Sequence, residues 1–417
     1  MNNASSLSPA VAQPPHVPDA LVYDFDLFKD AGLLADPHER VLDMVKTAPP
    51  IFWTPRNGGH WMLLSHQANF EASRDIETFS SEVIPQTQIK AMMAQMPPGS
   101  PHIPQPIPIN VDPPEHTKYR APLNRAFAPR AIADLKDSIR SLAHELIDRV
   151  VDNGQCEFMS AIAEPMPVQV FLKILGLPLA EQDAYRELVK DHLADTTDQS
   201  NVVRKLLKIT GSMRPTLLAR RDQPRDDLIS LLWQTEVDGK PTTLEDMENY
   251  CVLLFIAGLD TVMNGMGHGV RHLAMHPELQ AELRADPELV ADATEELLRR
   301  YTFTVPPRRV NKDVVFQGVD MKLNDKAVLY LPAADLDSAE YPEAERFNMR
   351  REAKAHIAFN AGPHRCLGSH LARVELQIIY EVLMERLPEF RLDPERVPVF
   401  HGGHVIGVDE LYLRWDV

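Results

Sequence analysis

The run "TTLEDMENYCVLLFIAGLDTVMNGMGHGVRHLAMHPE", residues 242–278, constrains this chain more than any other stretch. Thr242 followed by Glu245 predicts a capping-box start, and Pro277 lies beyond the far end. The span between predicts one helix of about 32 residues, against a mean of about 11–12. Its middle is apolar on every side, so it must run through a core. Its densest part, "VLLFIAGL" at 252–259, falls well short of the roughly 20 apolar residues that cross a bilayer.

The rest of the chain can supply that core. With 417 residues, 44% of them hydrophobic and 25% charged, it has the composition of a large globular protein, although 35 prolines exceed ordinary usage. A formal charge of -17 repels phosphate backbones and argues against nucleic acid. The opening "MNNASSLSPAVAQPPHVPDA" has no basic, apolar signal pattern and is expected to be a disordered leader over residues 1–20, ahead of one domain over 21–417. Cys156, Cys251 and Cys366 are odd in number, scattered and without Cys-x-x-Cys spacing, which fits a reducing cytoplasm. With no signal or spanning segment the protein is expected to be soluble and not on a membrane, and a monomer is expected.

Along the chain, "HWMLLSH" (60–66) reads as a strand, and "MPPGSPHIPQPIPINVDPP" (96–114) as a loop too rich in proline for regular structure. "AIADLKDSIRSLAHELIDRVVDNG" predicts a helix over 131–154 that stops at Asn-Gly. A helix around "DPELVADATEELLRRY", short strands within "VVFQGVDMKLNDKAVLYL" and an amphipathic helix in "LGSHLARVELQIIYEVLMERL" complete a mainly α chain with a small β region. His268 and His272 share a helical face, but "HGVRH" lacks the glutamate base of a zinc protease, so packed or solvated histidines are expected.

"FNAGPHRCLG", Phe359–Gly368, places Cys366 just before the last helix, facing unpaired N–H groups and the positive end of its dipole, which favours a thiolate. Gly362 and Gly368 let backbone approach the sulfur, and Pro363 stiffens the turn. Such a sulfur can be an inert buried thiol, a nucleophile with His364 or His370 as base, or a metal ligand. Ligation of haem iron also accounts for Phe359 shielding the sulfur and for Arg365, which can meet a propionate.

The loop resembles the cysteine signature of the haem-thiolate monooxygenases, the cytochromes P-450, and the likeness extends over roughly residues 20–417. It implies a single-domain triangular fold, mainly α with a small β region, with haem b (iron protoporphyrin IX) on Cys366, dioxygen as co-substrate and hydroxylation of an unactivated C–H bond. "AGLDT" (257–261) is similar to the family's oxygen-binding motif: Gly258 leaves room at the haem, and Asp260 with Thr261 delivers protons. Read without the family, Asp260 can be a satisfied core acid and Thr261 can bond back to its own helix. "EELLRR" pairs Glu296 with Arg299, and the resemblance adds a structural arginine from a later segment, for which Arg346 is the candidate. His116, Arg120, Arg308 and Arg365 are implied as propionate contacts. A haem-binding sensor or carrier, a peroxide-driven peroxygenase and a colourless hydrolase using Cys366 are the other readings; only the monooxygenase needs Asp260 beside Thr261.

"NGGHW", "FSSE", "DPPEH", "GLDTVMN" and the terminal "GVDELYLRWDV" resemble the camphor-hydroxylating bacterial branch. That branch orients its ketone with a tyrosine before "DPP"; here Pro104 or a neighbour stands there, so camphor is not the expected substrate. The expected substrate is a small apolar terpenoid, norisoprenoid or aromatic, in a pocket lined by Ile256, Thr304, Val305, His404 and Val405 under a lid at "AMMAQM". Electrons are expected from a 2Fe-2S ferredoxin with its NAD(P)H-dependent reductase. Phe70 and Glu77 stand where the branch is basic, while Lys118, Lys354 and Arg373 keep positive charge on the docking face.

Overall fold

Caps and glycines set several element boundaries in the computed structural model, which describes residues 7–97, 99–193, 199–352 and 355–417. The helices that matter for the site are α1 (Pro37–Thr47), α2 (His66–Arg74), α3 (Gln86–Ala94), α4 (Glu115–Ala126), α5 (Lys136–Asp148), α6 (Pro165–Leu175), α7 (Gln182–Leu193), α8 (Gln199–Asp222), α9 (Leu244–Gly258), α10 (Asp260–Met275), α11 (Pro277–Ala285), α12 (Leu289–Arg300) and α13 (Ser369–Arg386). Asp36 and Ser65 cap α1 and α2 by accepting from the N–H groups of Glu39 and Ala68, and Gly176 ends α6 at φ 71°.

The strands are β1 (Ile51–Thr54), β2 (His60–Leu63), β3 (Phe79–Ser80), β4 (Gln155–Glu157), β5 (Pro307–Val310), β6 (Lys326–Leu329), β7 (Phe390–Leu392), β8 (Val399–His401), β9 (Gly407–Glu410) and β10 (Tyr412–Trp415). One sheet has the order β1-β2-β6-β5-β3, with Trp53 opposite Trp61 and Met62 beside Val328 in the parallel pair. A second has the order β7-β10-β4, and β8 with β9 forms a hairpin in which His401 faces Gly407. The expected leader is corrected in part. Met1–Ser6 lie outside the described residues, but residues 7–20 lie against the first sheet: Val11 N–H donates to Pro55 O, His16 reaches Asp325 at 2.9 Å, and Val17 is buried. Prolines hold this segment extended at small entropic cost, so a few contacts suffice.

The expected 32-residue helix divides into α9 and α10 at Leu259 (φ -101°, ψ -59°). Thr261 Oγ1 donates to Ala257 O at 2.9 Å, and Asn264 Nδ2 donates to Asp260 O at 3.0 Å. Side chains thus compete with the helical ladder at a glycine that cannot stiffen it. The capping box sits one residue later than the pattern suggested. Thr243 and Asp246 bond reciprocally, because the Thr242 hydroxyl is spent on Thr235 O at 2.9 Å. The helix expected over 131–154 is shorter: α5 is flanked by a turn at Pro129–Ala133 and another at Val151–Asn153, closed by Gly154 at φ 67°.

Two apolar clusters meet on this divided helix. Met247 to Leu259 pack with α6, α7 and α8, whereas Val262 to Ala274 pack with α5, α12 and α13. Full burial of each such side chain stabilises by about 1.5–3 kcal/mol. The stretch Leu244–Met275 is long and apolar enough to cross a membrane by composition, and it is mostly buried inside the protein.

Two polar features lock the helices. Glu296 and Arg299 on α12 form a bidentate pair (2.9 and 2.8 Å), with Arg299 only 1% exposed and donating also to Asp335 O and Ala344 O. The third cation is Arg351, 3.4 Å from Glu296 Oε1, and the expectation of Arg346 is corrected: its side chain is 70% exposed on Glu343 and only its carbonyl joins the cluster. Pairing alone cannot identify which of two nearby arginines points inward. The second feature is aromatic and histidine-rich. His38 sits edge-on to His268 (4.7 Å) and Tyr301 (4.9 Å), and His272 Nδ1 meets Tyr301 OH at 2.7 Å.

Arg351→Ala is expected to cost about 3 kcal/mol in denaturant unfolding, and Arg346→Ala less than about 0.5 kcal/mol; the opposite ranking would return the role to Arg346. Burial is the main cause that drives His38 well below the ordinary histidine range, His268 to about 4 and His272 to about 3. These rings stay neutral in the fold while the unfolded chain takes up protons below about pH 6.5, so their contribution is full above that pH and is lost as pH falls. Thermal stability should therefore decline from about pH 6.5 towards pH 4, less steeply in His38→Gln; equal slopes would exclude His38.

Candidate functional site

The cysteine loop is pinned before it presents its sulfur. Gly362 takes φ 66° and packs on the end of α2, where a β-carbon would collide with Ser73 O. Ser73 Oγ and the Ala361 N–H both donate to Asn360 Oδ1 (2.6 and 2.8 Å). Cys366 N–H donates to Phe359 O at 2.8 Å. The Phe359 ring is covered by Arg373 at 4.5 Å, itself held by Glu295.

Cys366 is accessible although deep among protein atoms, the combination that an internal cavity produces. Burial raises its thiol, against the Gly368 N–H and the fields of Arg120, Arg365 and Arg373. The loop therefore does not create the thiolate unaided, and a bound metal cation would complete the ionisation. Ala257 and Gly258 are likewise exposed at the centre of an otherwise buried helix, and nothing lies within 4 Å of where a Gly258 β-carbon would be.

Donors beside this loop are left without partners although the Asp112 carboxylate is near them. Arg308 on β5 is buried; Nη1 donates to its own Pro307 O, and Nη2 has no partner. His116 on α4 and His364 in the loop have rings 4.4 Å apart, and both Nε2 atoms are buried without a hydrogen bond. Asp112 Oδ1 lies 3.7 Å from His364, too far for one, and accepts from Ser81 N–H while Oδ2 accepts from Ser80 Oγ. Desolvation lowers Arg308 to about 10 and His116 to about 4, and lowers Arg120 and His364. Several desolvated donors with one carboxylate between them make a cradle for a ligand with more than one negative charge, and the two propionates of haem fit it.

Arg120 Nη2 donates to Arg365 O at 2.7 Å, so the contact seen for Arg365 is through its carbonyl, its side chain being exposed. His364 was not foreseen as part of this cradle. Its position two residues before Cys366 was the available signal.

On the other side, the Asp260 carboxyl is buried and accepts from Asn264 Nδ2 at 2.7 Å, and Asn264 Oδ1 accepts from the Val408 N–H at 2.8 Å. Burial raises Asp260 to about 6. Ile256, Thr304 and Val405 are partly accessible, and Thr304 pairs with Val405 in an isolated bridge. Val305 is a correction. It is wholly buried in the cluster with Phe25 and Ile406, because the bridge turns it away from the cavity side. His404 is exposed but its Nδ1 lies 3.0 Å from Val305 O. In α3, which carries most of "AMMAQM", no residue is buried, and Met92 is exposed.

The basic docking face is weaker than the sequence suggested. Lys118 is held by Asp238 and Glu115, Arg373 by Glu295, and Lys354 lies outside the described residues. Among the described residues, no group of three or more His, Cys, Asp or Glu could hold a metal ion.

Residues 182–401 match the family model for Cytochrome P450. A probable cytochrome P450 127A1 of Sinorhizobium fredii is 32% identical, covering 96% of each chain. A linalool 8-monooxygenase of Pseudomonas putida is 27% identical over 85% of this chain and 90% of its own. The crystal structure of CYP101J2 superposes with a TM-score of 0.87 at 31% identity, covering 98% of this chain and 100% of that one. Likeness over nearly the whole length shows that the chain belongs to the cytochrome P450 family, whose members are haem b monooxygenases, and the accessible Cys366 thiol and the divided core helix are in keeping with it.

Proposed function

We propose that this enzyme hydroxylates a small, weakly polar molecule of the terpenoid, norisoprenoid or small-aromatic class, with electrons from a 2Fe-2S ferredoxin and its NAD(P)H-dependent reductase. The observation that carries the site assignment is the buried, unpartnered guanidinium of Arg308 beside the unpartnered imidazoles of His116 and His364, next to a loop presenting one accessible thiol. Haem b, when bound, supplies the redox chemistry that turns dioxygen and two electrons into an oxidant for a C–H bond.

The chain's own residues do the rest. Cys366 would hold the iron, with Phe359 and the Gly368 N–H shielding and tuning the sulfur. His116, Arg120, Arg308, Arg365 and His364 would receive the propionates. Gly258 leaves space on the opposite side. Asp260, at about 6, exchanges protons near neutral pH, and Asn264 fixes its Oδ1. Thr261 donates its hydroxyl hydrogen to Ala257 O, which leaves lone pairs on Oγ1 free to accept a hydrogen bond; it relays a proton by taking one on Oγ1 as its own hydrogen turns away from Ala257 O. The apolar lining at Ile256 and Val405, with Thr304 as a polar point, selects by shape and excludes water. A relative that acts on linalool supports a terpenoid-sized substrate.

Cys366→Ser is expected to lose the red-displaced absorption of the reduced carbonyl adduct, and a retained band would end the ligand assignment. Arg308→Met is expected to lose haem faster to a haem-scavenging globin while stabilising the haem-free protein by roughly 1–3 kcal/mol; destabilisation in both states would make Arg308 merely structural. Thr261→Ala should keep consuming NADH with less product, and unchanged product per NADH would remove Thr261 from proton delivery.

A further inference from the structure

A proton that buried Asp260 gives up must be replaced from solvent, yet its side-chain partner Asn264 is an amide that does not titrate. The hairpin β8–β9 lies behind that amide. Val408 N–H donates to Asn264 Oδ1, and one residue earlier Gly407 is the register partner of His401. The His401 imidazole lies against Gly407 so closely that any β-carbon there would collide with the ring. His401 Nδ1 is 2.7 Å from Asp409 Oδ1, and the two side chains are 33% and 48% exposed. An acid and an imidazole thus bridge solvent and the helix that carries Asp260.

The remaining charges around His401 are few. From α10 it faces Asp260 and neutral His268, with Arg271 lying over the neighbouring Phe400 ring and paired to Asp36. The turn Ala31–Ala35 packed against β8 carries no titratable side chain, and Asp30 at its start is bound to Arg40. Burial disfavours charge on His401, but the Asp409 hydrogen bond and the charges of Asp409 and Asp260 hold it above the ordinary histidine range. His401 in turn lowers Asp260 against the effect of burial, so the two titrations are linked.

We propose that His401, held by Asp409 and seated on Gly407, supplies protons from solvent to Asp260. The proposal rests on the monooxygenase reading above. With Nδ1–H donating to Asp409, Nε2 is the titrating nitrogen. The imidazolium releases its Nε2 proton by way of water to the Asp260 carboxylate, the ring becomes neutral, and solvent returns a proton to Nε2. In the first transfer an N–H bond breaks and an O–H bond forms on Asp260; in the second an O–H bond of solvent breaks and the N–H bond re-forms, and no electron moves. His401 acts through Asp260 and is a positioning and supply residue.

The test uses the haem-loaded enzyme with substrate, NADH and a ferredoxin system. Turnover in His401→Gln is expected to fall roughly ten- to a hundredfold, less than the ~10²–10⁴ ascribed to a group that transfers the proton directly. The ratio of turnover in H2O to that in D2O should rise, and Asp409→Asn should shift the pH profile to lower pH. Gly407→Ala, which keeps the imidazole but displaces it, should change turnover and isotope ratio in the same direction. Independently of turnover, the His401 ring followed by NMR should titrate at lower pH in both Asp409→Asn and Asp260→Asn. Wild-type rate, isotope ratio and pH profile in His401→Gln, with an intact thiolate carbonyl spectrum, overturn the relay and leave the monooxygenase reading standing. A His401 titration indifferent to Asp260→Asn overturns it too, and absence of the thiolate spectrum from the unaltered protein overturns both.

Discussion

The rest of the fold is arranged about a helix that has to be buried along its whole length and still leave a vacancy beside it. From Leu244 to Leu259 it is packed by α6, α7 and α8, and from Asp260 to Met275 by α5, α12 and α13. Dense packing on every side would leave no room for a reaction. The chain meets both demands at one place, where Ala257 and Gly258 are too small to fill the space, the Thr261 side chain takes the Ala257 carbonyl and the Asn264 side chain adds a bond to the Asp260 carbonyl. The join between the two cores therefore coincides with the cavity, and the acid and the alcohol are fixed at its edge.

Electrostatics follows the same logic with the opposite sign on each side of that cavity. Beside the cysteine loop, the Arg308 guanidinium is buried with one nitrogen unpartnered and the nearby carboxylate is Asp112, an arrangement that costs stability until a further anion neutralises it. At the helix join an acid is buried with an amide, so that its proton affinity moves towards neutrality. The Glu296, Arg299 and Arg351 cluster shows what a finished buried network looks like in this protein, since its guanidinium hydrogens are taken up by carboxylate or carbonyl oxygens. The contrast between that satisfied cluster and unpartnered Arg308 separates structure from function.

Legibility in the sequence was uneven for physical reasons. "FNAGPHRCLG" was readable because a glycine with positive φ, a proline and a lone thiol permit few alternatives at that spacing. "AGLDT" was readable as an interruption of an apolar helix, although not as a break into two. Arg351 was missed in favour of Arg346 because which side chain turns inward depends on the path of an irregular segment, and no periodicity governs it. Val305 was misassigned for a related reason: the Thr304–Val405 bridge, formed between residues a hundred positions apart, sets which face points to the cavity. His364 reads as a possible base from its place in the loop, and only the fold sets its ring beside His116 in the cradle.

By itself, the sequence determined the elements whose signals are local: the apolar helix, its weak point at Gly258, the stiff loop before α13 and the Glu296–Arg299 pair three residues apart. These depend on interactions within about a turn or two, and the residue types fix them. Only the tertiary structure decided what meets across the chain, including His116 with His364, Arg351 with Glu296, and the His401 hairpin with Asp260. Burial and proton affinity are properties of the assembled surroundings, so a charge is known to lack a partner only after every other segment has taken its place.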